Sequence, residues 1–115
     1  MIREAKVIRN KYGEWSHPDF PEWDESVTKE DIREFENKNH IDLCFIYFEI
    51  DAPENLQDEY YSKNFDCINV LKKWNPECSI KPSFLLSIHE TEEGPIAIFA
   101  IERKERLYID IIENF

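Results

Sequence analysis

Residues 84–101, FLLSIHETEEGPIAIFAI, set two apolar runs around the short acidic turn His89-Glu90-Thr91-Glu92-Glu93-Gly94-Pro95. Runs of this length on either side of a Gly- and Pro-bearing turn predict an antiparallel hairpin. Strict alternation then puts Phe84, Leu86 and Ile88 on one face with Ile96, Ile98 and Ala100. Leu85 and Ser87 fall on the other face with Ala97, Phe99 and Ile101. This hairpin anchors every other assignment along the chain.

A chain of 115 residues fits one domain. A domain of that size buries roughly two thirds of its unfolded surface, so its core needs no metal or disulfide staple. The balance of 14 basic against 25 acidic residues leaves a net charge of -11. Such a field repels phosphate backbones, so nucleic acid and anionic membrane are not expected as partners. It steers basic proteins inward, although acidity also serves plain solubility. Cys44, Cys67 and Cys78 form an odd set without CxxC spacing, and no disulfide framework is read from them. The opening MIREAKVIRN has no apolar signal segment, and no run reaches the ~18 residues of a membrane span. A cytoplasmic, reduced protein is the expectation.

Upstream of the hairpin, residues 5–15 read as a short opening strand, a turn at Lys11-Tyr12-Gly13 and a second extended piece. The prolines at 18 and 21 keep the following loop out of helix, with Trp15, Phe20 and Trp23 closing it onto the core. Thr28 followed by Asp31 predicts a capped helix to about Asn39, Ile32 and Phe35 inward, Glu36 outward. Ile41 to Ile50 predicts a strand, and its apolar residues on both faces point to an interior position. Asp51 predicts the cap of a second helix, while residues 65–74 read equally as helical or irregular. Leu107 to Ile112 predicts a last strand. The sum is a single α+β domain over 1–115, with a mostly antiparallel sheet of four or five strands and one or two packed helices.

Three pieces together resemble a group of small accessory proteins encoded by enterobacterial phages and prophages, in the early region of lambdoid-type genomes. They are Ile8 to Pro18 (an IxxxxGxWxHP pattern), Trp74-Asn75-Pro76 followed by Pro82, and Phe84 to Pro95 (a WFLxSIHDTEDGP pattern). Glu90 and Glu93 replace the pattern's Asp residues. The resemblance implies a phage-derived, cytoplasmic accessory protein and brings no reaction with it.

His89 beside Glu90, Glu92 and Glu93 is the nearest approach to an active site. It lacks the second histidine of a helical zinc signature. A turn in which Thr91 and the acidic side chains bond local N–H groups explains the same residues. A binding surface is the second reading and catalysis the third. His17 is read as bonding a backbone group over Trp15, a metal role lacking any paired-ligand spacing. No catalytic or metal residue and no cofactor is assigned. Two glycines exclude any Gly-rich phosphate loop.

The leading expectation is therefore a non-enzymatic module that binds a host or phage protein, preferentially a basic one. Its possible interaction surface comprises His89, Glu90, Thr91, Glu92, Glu93, Trp15, His17 and Trp23. Alternatives are an immunity-type inhibitor of a basic toxin, suited to electrostatic steering, and a small metal-dependent hydrolase around His89.

Overall fold

A computed structural model describes residues 1–24, 26–62 and 67–103. The hairpin forms as expected: β3 (Ser83–Thr91) and β4 (Gly94–Glu102) pair antiparallel around Glu92 and Glu93. The short strand β1 (Trp15–Ser16) lies against β3, and β2 (Ile41–Tyr47) lies against β4. The sheet order is β1-β3-β4-β2, with every pair antiparallel.

Helices cover both faces of this sheet. The first, α1 (Lys29–Asn39), starts in a full capping box: Asp31 N donates to Thr28 Oγ1, and Thr28 N donates to the Asp31 carboxylate. These two bonds satisfy backbone donors that no helical carbonyl reaches. His40 ends the helix in the left-handed region at φ 53° and turns the chain directly into β2. Phe35 of α1 packs with Phe20 and Leu43 on a core of Ile2, Ile41, Phe84, Leu86, Ile98 and Ala100.

The opposite face carries three helical segments: α2 (Phe48–Asp51), α3 (Glu54–Tyr61) and α4 (Cys67–Lys73). They bring Phe48, Leu56, Leu71 and Trp74 onto Ile88, Ala97 and Phe99. Phe48 is fully buried, its ring 5.3 Å from Trp74 and 5.1 Å from Tyr60. The result is an α+β fold in three layers, α1 and the N-terminal segment on one side, α2–α4 on the other.

Several local expectations are corrected. Residues 5–10 form no strand; the opening extended piece is only Trp15–Ser16. The strand from Ile41 stops at Tyr47, because Phe48 must turn into the helical core. Among the described residues β2 stands at the end of the sheet rather than inside it. Its apolar residues on both faces reflect α2–α4 over Cys44 and Ile46 and α1 over Ile41 and Leu43, since covered faces, not flanking strands, demand that pattern; Phe45 and Tyr47 are exposed.

A register shift between Leu85 and Ser87 also breaks the simple alternation of β3. A bulge sets two residues of one strand against one of its partner. Phe84 and Leu86 face the α1 side, but Ile88 joins Leu85 on the α2–α4 side. Glu36 does not simply point to solvent, because its carboxylate accepts from Leu43 N at 2.8 Å. Asp51 does not cap α3, which begins after Pro53; its carboxylate accepts the Trp74 indole N–H at 2.9 Å instead. The segment left open at 65–74 is helical from Cys67 to Lys73. The predicted last strand, Leu107 to Ile112, lies outside the described residues.

Candidate functional site

The three segments singled out from the sequence, Ile8 to Pro18, Trp74 to Pro76 and Phe84 to Pro95, meet in space. Arg9 reaches across from the N-terminal loop to the end of α4: its Nη1 donates to Trp74 O at 2.8 Å and its Nη2 to Leu71 O. Its Nε donates to Gly13 O at 2.8 Å, which locks the turn at 11–13 onto the same junction. A guanidinium suits this place because its fixed fork satisfies several terminal helix carbonyls at once. Gly13 is needed beside it. Its φ is +82°, and a Cβ there would come within 2.8 Å of Lys72 N. The chain then runs into β1, where Trp15 pairs with Ile88 and Ser16 with Ser87.

His17 follows immediately and is only 4% exposed. Asp19 N donates to its Nδ1 at 3.0 Å, so Nε2 carries the proton and donates to Arg3 O. Both ring nitrogens are thus engaged within the chain, with Trp15 in edge contact at 6.1 Å between ring centroids. Trp23 stands elsewhere: it meets Phe20 and Phe35 in a trio of edge-to-face rings over α1. Trp15 packs on the α2–α4 side of the sheet.

The hairpin tip is built by its own residues. Thr91 Oγ1 donates to Gly94 O at 2.7 Å and accepts from Glu93 N at 3.2 Å. Gly94 takes φ +109°, a conformation costly for any residue bearing a Cβ. Thr91, Glu92 and Glu93 are exposed. Glu90 is exposed as well, and its carboxylate accepts from the Tyr60 hydroxyl at 2.6 Å. That bond ties the base of the tip to α3.

His89 is half-buried on the strand below. Its Nδ1 shares a hydrogen bond with Ser87 Oγ at 2.8 Å, and Ser87 Oγ stands 3.3 Å from Ser16 Oγ. The bulge puts Ser87 and His89 on one side of the sheet, opposite Ile98 and Ile96 of β4. Burial pushes the His89 imidazole below its ordinary pKa, and the charge of Glu14 pulls it part of the way back. Glu14 is held there by accepting from Glu90 N at 3.2 Å. Burial likewise raises the Cys44 thiol, with Cys78 beside it reinforcing the effect. An uncharged thiol is the form such a packed position favours.

The eight residues singled out from sequence therefore divide. Glu90, Thr91, Glu92 and Glu93 form one acidic tip with His89 at its base, whereas Trp15 and His17 meet each other in edge contact and Trp23 packs apart with Phe20 and Phe35. Tyr60 and Glu14, which steady the tip, carry no local sequence signal, being 30 and 76 residues from the Glu90 they bond. Among the described residues, no group of three or more His, Cys, Asp or Glu side chains is placed to hold a metal ion. No helix among them is long and apolar enough to cross a membrane. No protein-family model, curated protein or solved structure matches this chain.

Proposed function

We propose that this chain is a non-enzymatic accessory protein of phage or prophage type that acts in the cytoplasm by binding a host or phage protein, preferentially a basic one. The observation that carries this reading is the acidic tip. Glu90, Glu92 and Glu93 are exposed, and the Thr91–Gly94 and Tyr60–Glu90 bonds restrict the backbone that presents them. Carboxylates held on a pre-formed turn lose little freedom on association, which favours binding. The field of a chain with net charge -11 brings basic partners to it faster.

His17 is buried with both ring nitrogens bonded to backbone groups of the chain, which suits a structural imidazole rather than a catalytic one. The test is capture from host lysate at low and at physiological salt, comparing the native chain with a Glu92→Lys, Glu93→Lys variant. A basic protein retained by the native chain and lost by the variant supports the proposal. Identical retention by both, or nothing above background at either salt, sinks it.

A further inference from the structure

The phase of the β2–β4 ladder leaves one stretch of backbone without a partner among the described residues. Arg103 N donates to His40 O across the ladder at 3.1 Å. Backbone groups alternate along a strand, so Asp42, Cys44 and Ile46 also face β4, and Leu43, Phe45 and Tyr47 face outward. The Glu36 carboxylate takes the outward N–H of Leu43, which closes the first half of the edge from α1. Nothing among the described residues closes the second half, at Phe45 and Tyr47. The two residues are 36% and 44% exposed, and Ile50 just beyond is 78% exposed.

Sheet edges are ordinarily protected by lysine, proline or a bulge. The strand IDLCFIY has no lysine or proline, and its register with β4 runs unbroken from Ile41 to Tyr47. We propose that the outer edge of β2 at Phe45–Tyr47 is a docking site for an extended segment of another protein in which lysine or arginine alternates with apolar residues. Main-chain bonds to Phe45 and Tyr47 would extend the sheet, and the two rings would receive the segment's apolar side chains. Asp42 at one end of the edge is already paired with Arg103 at 2.9 Å, so Glu49, exposed just past the other end, would meet its cation, within the field of a chain of net charge -11. A second copy of this chain is disfavoured as occupant, because two molecules of charge -11 repel. The inference rests on the reading of a basic partner and places part of the contact away from the hairpin tip.

The test is a titration of the 15N-labelled full chain with an end-capped octapeptide of alternating lysine and valine, read from backbone amide shifts. The amides of Phe45 and Tyr47 are expected to move. A Phe45→Lys, Tyr47→Lys variant is expected to bind about tenfold more weakly or worse, a loss of ~1.4 kcal/mol. Phe45→Pro removes an outward N–H without touching the β4 ladder and is expected to act likewise. If it misfolds, the lysine variant still decides.

Shifts confined to Glu92, Glu93 and Gly94 overturn the edge site and leave the basic-partner reading standing. No shift at either place overturns both. An equal response to a glutamate–valine octapeptide overturns the charge argument. Amides of Phe45 and Tyr47 already protected from exchange in the free protein mean that the edge is occupied, and that also overturns the proposal. A dimer in sedimentation then identifies a second copy, and a monomer identifies the chain's own residues.

Discussion

The chain has two glycines, and both sit at positive φ, yet their surroundings differ sharply. Gly13 lies in the N-terminal loop against the backbone of α4, with Lys72 N, Leu71 C and Lys72 Cα within 3.1 Å of where a Cβ would stand. Gly94 closes the hairpin tip, where the same Cβ would meet only the Tyr61 hydroxyl at 3.5 Å. Gly13 is the point where two remote segments are joined; Gly94 is a local turn. Both regions fall in segments singled out from the sequence, Ile8 to Pro18 and Phe84 to Pro95, so a conspicuous sequence motif can stand for a tertiary or for a purely local requirement. Neither reason is a reaction.

The sharpest way to break this comparison is to add one methyl group at each site. Gly13→Ala must move the α4 backbone as well as accept an unfavourable φ, so a loss of about 2–4 kcal/mol is expected. Urea unfolding followed by tryptophan fluorescence would read it, and a loss under ~1 kcal/mol would show that the loop is not a joint. Gly94→Ala carries the backbone strain alone, since a tyrosine side chain gives way easily, and about 1–2 kcal/mol is expected. Equal losses at the two positions would erase the distinction between a joint and a turn.

What was legible in the sequence follows the same division. The hairpin, the Thr28–Asp31 capping box and the Thr91–Gly94 turn depend on residues within a few positions of one another, and each formed as the local pattern predicts. The engagement of His17 with backbone groups was legible too, because a proline-bearing loop leaves few other partners. The bulge at Leu85/Ser87 was not, since it answers to what packs on each face, and that is decided by helices far away in the chain. The edge position of β2 was hidden for a related reason: two covering layers and two flanking strands demand the same apolar pattern. Arg9 gave no signal at all, because its partners Leu71 and Trp74 lie 62 and 65 residues away. At the tip, the turn chemistry was readable, whereas the supports from Tyr60 and Glu14 were not.

His89 lies between the two regions, bonded to Ser87 on its own strand and sensing Glu14 at the end of the N-terminal loop, so it tests whether they respond together. Its folded pKa lies below the unfolded value of 6.5, with burial the larger cause and Glu14 the opposing one. The unfolded chain therefore binds the proton more tightly, and stability falls as pH drops through 6.5 toward the folded pKa. The expected effect is the smallest of the three, because the imidazole is only half-buried and Glu14 offsets part of the cost. Urea midpoints at pH 7.5 and 5.0 should differ more for the native chain than for a His89→Gln variant, which has no charge to gain. The two proteins differ only at this side chain, so the difference between the two slopes reports on the imidazole. Parallel slopes would mean that burial costs the charged imidazole nothing net, with Glu14 offsetting the whole of that cost rather than part of it.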